Sequence, residues 1–332
     1  MSRQLAGSDM FDVDFLGFPR RTCHVLLPSQ PLRAAQAGLA LYDSTLLHQR
    51  VVRTVGSALI DLRLHRLFHF GPIPGPLIDR QWWVEWRDSI AVPVIGPVTR
   101  AAFRFWEGRA LALLMTDTGH PRGFVKVWPN PPGPPRPIPC MQPVVLARLA
   151  ADPPSGFRVP SLLAEGVLGA WAYQLFEPLP PGPHRPLAAA PQRIGRIVDE
   201  WRERLADVPR PPGVASHHVI GHGDFTPRNA RHAGDDRIWV LDWEYAGWAP
   251  TLADELQFWT THFACRPWSR PARDGLRTLT TLRQRGGDAD IADALRWGAY
   301  MTPGQRVIAR VLAREIGLHD LEPAETGGGA HA

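Results

Sequence analysis

Lysine is almost missing from this chain. It occurs once in 332 residues, at Lys126, and arginine supplies the other 36 basic side chains. Such a bias reflects genome composition. The arginines are scattered without dense clusters, so the net charge of +5 is no nucleic-acid footprint. Cysteine is nearly as scarce. Cys23, Cys140 and Cys265 lie far apart with no C-x-x-C, which argues against a zinc site or a disulfide framework and fits a reducing compartment. No uninterrupted apolar run approaches the length of a membrane span. Met1 to Phe11 has no apolar core of the signal-peptide kind, and a cytoplasmic location is expected. What remains is ordinary globular composition, 44% hydrophobic and 21% charged, in a chain long enough for two domains or one large one.

The densest information lies in Val219-Ile-Gly-His-Gly-Asp-Phe-Thr-Pro-Arg-Asn-Ala230 and in Ile238-Trp-Val-Leu-Asp-Trp-Glu-Tyr-Ala-Gly247. An apolar approach ends in His222-Gly223-Asp224, and four residues separate Asp224 from Asn229. A second apolar run ends in Asp242. Taken singly, an Asp in a turn is normally a cap and a lone His a structural residue. Taken together, the order and spacing match H-R-D-x-x-x-x-N followed by a metal-binding Asp. Phosphoryl transfer needs such a set. One carboxylate meets the acceptor hydroxyl, while an amide and a second carboxylate reach around to hold magnesium on the phosphates.

With Gly in place of Arg and Trp-Glu after the second Asp, the stretch resembles the aminoglycoside phosphotransferase and choline kinase family. The resemblance implies a bilobal, protein-kinase-like α+β fold with ATP (or GTP) and Mg2+. It assigns Asp224 to the acceptor hydroxyl, and Asn229 and Asp242 to the metal. His222 reads as a brace behind the base, and Asp254, in Pro250-Thr-Leu-Ala-Asp-Glu255, as a residue that steadies the catalytic loop.

Along the chain, residues 1–95 read as an N-terminal helical extension packed on the core. Helical patterns cover Pro31–Leu41 and Ser44–Phe68, the second with an apolar stripe of Val51, Val55, Leu59 and Leu62, and Pro72–Pro76 ends it. Residues 96–177 read as a small nucleotide-binding lobe with an antiparallel sheet. Strands are expected at Arg100–Trp106, Ala110–Thr116 and Arg122–Trp128, then at Phe157–Leu163 and Ala170–Phe176. The turn holding Gly108 would cover the phosphates, with Gly96-Pro97 a second choice.

Lys126 alternates with Val125 and Val127, so it faces away from them. Gly123-Phe-Val-Lys-Val-Trp128 resembles V-A-I-K, which assigns Lys126 to the α- and β-phosphates. The helix Met141–Ala151 takes the place of the helix whose Glu would pair with that lysine. Here Gln142 stands nearest, and Glu165 or Glu107 could supply a relocated carboxylate. Phe176 and Leu179 flank Glu177-Pro-Leu-Pro-Pro-Gly-Pro183, which resembles the adenine-binding hinge.

Residues 178–320 read as a larger helical catalytic lobe and 321–332 as a disordered tail. One helix carries Ile194, Ile197, Val198, Trp201 and Leu205, another Leu252, Leu256, Trp259 and Phe263, and a last runs from Pro303 to Ile316. The expected activity is phosphoryl transfer to a hydroxyl of a small molecule, with neither nucleic acid nor membrane as partner. A kinase of Ser/Thr in a peptide is one alternative, although no A-P-E follows Asp242. A nucleotide-binding pseudokinase is the other, and Gln142 is its evidence. Glu200, Glu203, Glu244 and Asp274 are the acidic residues that a cationic acceptor could meet.

Overall fold

The computed structural model describes residues 15–18, 25–41, 47–64, 80–106, 109–130, 141–180, 184–187, 190–233, 235, 237–264, 271–297, 303–315 and 317. The fold is α+β, as expected. The chain forms two compact units, Met1–Pro135 with Pro160–His184 and Ala233–Asp236, and Arg136–Val159 with Arg185–His232 and Arg237–Ala332.

The first unit is built on a seven-stranded antiparallel sheet. In chain order its elements are β1 (Phe15–Phe18), β2 (Val25–Pro28), α1 (Leu32–Gly38), α2 (Leu47–Asp61), α3 (Arg80–Trp86), α4 (Val92–Ile95), β3 (Arg100–Trp106), β4 (Arg109–Met115), β5 (Pro121–Pro129), β6 (Leu162–Leu168) and β7 (Trp171–Phe176). Their order in space is β1-β2-β3-β4-β5-β7-β6. The meander β3-β4-β5 forms where alternation and turn residues place it. The N-terminal stretch has its helices, and it also adds β1 and β2 to the sheet, Val25 pairing with Arg104 and Leu26 with Phe103. Val25–Pro28 is buried throughout, so it lacks the period-two pattern that marks a half-buried strand.

Period two sorts the sheet's side chains to two faces. Val125, Val127, Tyr173 and Leu175 meet α3, whose Trp82, Trp83 and Trp86 are all buried. Trp83 stands edge-on to Phe103 at 5.1 Å, and Trp82 donates its indole N–H to the Leu168 carbonyl at 2.7 Å. On the opposite face, Ala34, Ala35 and Leu39 pack on Leu27, Ala102 and Leu113.

Two local readings are corrected. The stripe on α2 is rotated: Val51, Val55 and Leu62 are exposed, while Ile60 is buried with Val52 and Leu59 packed beside it. Gln36 bonds Ser57 on that helix by side chain and carbonyl and reaches Asp61 at 2.8 Å, alongside the buried Ile60 face. The strand expected at Phe157–Leu163 forms later, at Leu162–Leu168. Pro153, Pro154 and Pro160 withhold ladder donors, and Phe157 is buried in the other unit, edge-on to Trp201 at 6.1 Å. Gly96, with φ 78°, ends α4 as a helix cap. The break at Pro72–Pro76 and the 321–332 tail lie outside the described residues.

The second unit contains α5 (Gln142–Ala151), β8 (Arg185–Pro186), α6 (Pro191–Arg204), β9 (Val219–Gly221), β10 (Ala230–His232), β11 (Ile238–Val240), β12 (Gly247–Ala249), α7 (Ala253–Ala264), α8 (Pro271–Trp297) and α9 (Pro303–Glu315). Helix α8 was not foreseen. Its Gly286-Gly287 pair interrupts the pattern, and the backbone breaks at Gly287 with φ 81° and ψ 177°. The expected stripe on α6 is wholly buried, as is that of α7. Glu255, itself buried, ties three helices together. It accepts from Arg202 of α6 at 2.8 and 3.1 Å and from Arg285 of α8 at 3.0 Å, and Arg285 also holds Asp199. Bidentate, charge-assisted bonds of this kind fix orientation as well as energy.

Candidate active site

Two short antiparallel pairs carry the site. Strand β9 pairs with β12, and β10 with β11, so the loop Gly221–Asn229 and the Leu241-Asp242 step are brought side by side. The backbone joins them. Leu241 N donates to the Asn229 carbonyl at 2.7 Å, and Asn229 N to the Thr226 carbonyl at 3.0 Å.

The loop rests on aromatic rings. Trp201 of α6, fully buried, meets Phe225 edge-on at 4.9 Å and Trp243 at 5.3 Å. His222 lies among them with its ring 4.5 Å from that of Trp243. Asp224 N donates to His222 Nδ1 at 3.2 Å, so Nδ1 is an acceptor and the proton is on Nε2, which donates to the Leu241 carbonyl at 2.8 Å. The imidazole thus stitches the two carriers together.

Gly223 lies between His222 and Asp224 with φ 78°, and a Cβ there would be 2.1 Å from the Tyr245 carbonyl oxygen. Only glycine fits. Two backbone N–H groups of this tight turn go to Asp254 at the start of α7, whose carboxylate accepts from His222 N at 2.9 Å and Gly223 N at 3.0 Å. Burial pushes Asp254 up to about 6, against the opposing pull of Arg202 and the two backbone donors.

Asp224 is half-buried at the loop's tip. Its carboxylate accepts from Asn229 Nδ2 at 2.8 Å and from Gln257 Nε2 at 3.1 Å. Burial, with the neighbouring charge of Asp242, pushes Asp224 up to about 7, and Glu244 adds to the rise while Arg228 and Asn229 oppose it. Asp242 itself has left-handed backbone, φ 68° and ψ 53°, uncommon for a residue with a side chain. Gln257 was missed in the sequence. It lies one turn beyond Asp254 on α7, and that i, i+3 spacing was the available signal.

The donor set fits a hard divalent cation. Asn229 and Asp242 can each offer an oxygen, as magnesium prefers. Because the Asn229 amide points its NH2 at Asp224, its carbonyl oxygen is the end left for a metal.

The remaining residues fall as follows. Lys126 belongs to the sheet unit, paired in register with Leu111 on one side and Gln174 on the other. Its ammonium lies 5.8 Å from the Phe176 ring centroid. Gln174 also pairs with Glu165 and donates to it at 3.0 Å. Leu179 follows β7 in the same unit, partly buried. Gln142 is buried at the head of α5 in the helical unit, next to Met141, whose N–H donates to the Ala246 carbonyl at 3.0 Å. Gly108 and Glu107 lie outside the described residues. Of the acidic residues, Glu200 is committed to Ser155 Oγ at 2.8 Å and Gly156 N at 2.9 Å, and Glu203 is exposed. The side chain of Asp274 is outside the described set. Glu244 is the one whose charge reaches Asp224.

No curated protein matches the chain. Among solved structures it is similar to an amicoumacin kinase, hAmiN, in complex with AMP-PNP, Ca2+ and Ami. Identity there is 11%, with 65% of this chain and 87% of that chain covered and a TM-score of 0.45. Aminoglycoside phosphotransferase APH(3'')-Id from Streptomyces rimosus is 15% identical, with 73% and 99% covered and a TM-score of 0.40. A putative fructosamine-3-kinase from Haemophilus somnus is 13% identical, with 69% and 95% covered and a TM-score of 0.42. Residues 168–292, which span β7 to α8 and hold the whole Asp224 loop, match the model of the phosphotransferase enzyme family, the family that the spacing of Asp224, Asn229 and Asp242 resembles.

Proposed function

We propose that the protein transfers the γ-phosphoryl group of ATP to a hydroxyl of a small molecule, with Mg2+. The observation that carries the reading is Asp224: a carboxylate held by two side-chain amides at 2.8 and 3.1 Å and pushed up to about 7. A base matched to neutral pH is what hydroxyl activation asks for. The two amides fix the carboxylate's plane and leave it lone pairs for an acceptor's proton. As the acceptor oxygen bonds to the γ-phosphorus, the bond from phosphorus to the bridging oxygen breaks, and ADP leaves with that electron pair. Asp224 takes the proton.

Asn229 through its carbonyl oxygen and Asp242 would hold the magnesium, which supplies charge neutralisation on the phosphates. Lys126 on β5 would meet the α- and β-phosphates, and Phe176 and Leu179 the adenine. Asp242's left-handed backbone sets the direction of its Cα–Cβ bond, and the bonds of Asp254 fix the turn. Positioning and electrostatics of this kind are most of what phosphoryl transfer requires of a protein. Glu244, close enough to act on Asp224, is the residue that would meet a cationic group on the acceptor.

The test is ADP release by purified protein with Mg-ATP and a panel of amino-alcohols and sugars, beside Asp224→Asn. The variant should bind Mg-ATP almost as well as wild type and lose about 10²–10⁴ in rate. Near-wild-type turnover by the variant would remove Asp224 from the mechanism. If nucleotide binds and no hydroxyl acceptor is phosphorylated, the protein is instead a nucleotide-binding module without turnover.

A further inference from the structure

A second cluster of ligand-type side chains lies in the same unit, ahead of the catalytic loop. His217 and His218 immediately precede β9, and both rings turn to one carboxylate on α8. His217 Nε2 is 2.8 Å from Asp293 Oδ2, and His218 Nε2 is 3.9 Å from the same oxygen. The three ligand atoms all lie within 4.8 Å of one another. Neighbouring residues of a strand point to opposite faces. Here a turn closed by His218 N on the Ala215 carbonyl, at 3.0 Å, brings both rings to one side, edge to face with centroids 4.8 Å apart.

The turn is held from several directions. Thr251 Oγ1 donates to the His217 carbonyl at 3.2 Å, and Arg210 Nη2 to the His218 carbonyl at 2.9 Å. Trp297 stands edge-on to the His218 ring at 5.3 Å. The guanidinium of Arg210 in turn lies over Trp248, 5.1 Å from its centroid. The histidines are thus set by backbone and ring contacts, not only by their own pairing.

A hydrogen bond accounts for His217 and Asp293 alone. It does not account for His218, whose Nε2 is too far from that oxygen to bond it, yet is turned to it. A cation between the three atoms accounts for all of them. Bonds of about 2.0–2.2 Å in tetrahedral array put ligand atoms roughly 3.4 Å apart, within the spread found here. We propose that His217, His218 and Asp293 form a binding site for one divalent transition-metal ion of the zinc class, with water completing its coordination. Two imidazoles and one carboxylate favour such an ion over magnesium or calcium, which take oxygen ligands.

The scarcity of cysteine therefore does not exclude zinc, because this site uses none. Its ion joins α8 to the residue that enters β9, four residues before His222. Binding there steadies the strand that delivers Asp224. The site stands independently of the phosphotransferase reading, since its ligands touch no residue assigned to catalysis.

The test uses untagged full-length protein, stripped with chelator and kept in excess Mg2+, and titrated with Co2+ as an optical probe. One Co2+ per chain should bind, with visible absorption of a four- or five-coordinate ion that Zn2+ abolishes by displacement. Zn2+ should raise the melting temperature. His218→Gln and Asp293→Asn should each weaken binding by more than the roughly 10–100-fold typical of losing an outer partner. His232→Gln, on β10, should leave it unchanged. On the wild type alone, Zn2+ should protect His217 and His218 from diethyl pyrocarbonate, read by peptide mass, which keeps the test open should the variants misfold. Unaltered Co2+ binding in both ligand variants, or no Zn2+ protection of His217 and His218, overturns the site.

Discussion

Gly223→Ala is the sharpest perturbation this structure offers, because two separable costs meet at one position. The first is conformational. At φ 78° an L-residue pays roughly 1–2 kcal/mol that glycine does not. The second is steric. The added Cβ would lie 2.1 Å from the Tyr245 carbonyl oxygen and 2.7 Å from its carbon, both backbone atoms that cannot swing aside. To restore contact of about 3.3 Å the loop must retreat by roughly 1 Å, and a shift of that size at a reacting centre costs on the order of 10²-fold in rate. The retreat also pulls the His222 and Gly223 N–H groups from Asp254, and each buried donor left unpaired costs about 1–3 kcal/mol.

Gly213→Ala is the internal control. Its φ is 87° with nothing within 4 Å of the added Cβ, so it carries the first cost and not the second. With the acceptor found by the panel, kcat should fall about a hundredfold or more for Gly223→Ala. Gly213→Ala should lose only about 1–2 kcal/mol of stability, read by denaturant unfolding, and keep its rate. A Gly223→Ala protein with kcat within twofold of wild type, or a Gly213→Ala protein equally impaired, would refute the argument that the backbone contact is what demands glycine.

Two further changes test the groups around the base. Gln257→Leu keeps the volume but withdraws the amide from Asp224 Oδ1, so the carboxylate loses a bond that favours its charged form; the acid-side limb of the kcat/KM profile should move to higher pH, and an unmoved profile would make Gln257 merely a packing residue. Lys126→Arg should be damaging although arginine is this chain's habitual cation, since a planar fork must replace a point charge between phosphate oxygens; nucleotide affinity and turnover both equal to wild type would make the solitary lysine an accident.

What could be read from the sequence was what rests on local spacing. The strands Arg100–Trp106 and Arg109–Met115 were legible because period two and turn residues are properties of a few neighbours, and the α6 stripe from Ile194 to Leu205 because period 3.6 is too. The Asp224 loop was legible for a different reason: phosphoryl transfer fixes residue types at fixed separations. Illegible were the contacts made across the chain. Val25–Pro28 pairs with a strand some 75 residues later and is buried on both faces, so nothing in its own composition marks it.

The α2 stripe went wrong because Val51, Val55 and Leu62 do fit a helix face, while the face that turns inward, with Ile60, Val52 and Leu59, meets a cluster built from distant parts of the chain. Gln257 shows the boundary between the two kinds of information. Its position one turn past Asp254 was visible, but its role follows from where the start of α7 lies beside the loop, which depends on the β9–β12 pairing. The brace and the second amide on Asp224 are therefore one structural fact. Once Asp254 caps the Gly223 turn with two backbone bonds, helical geometry brings the side chain three residues later to the carboxylate at the tip.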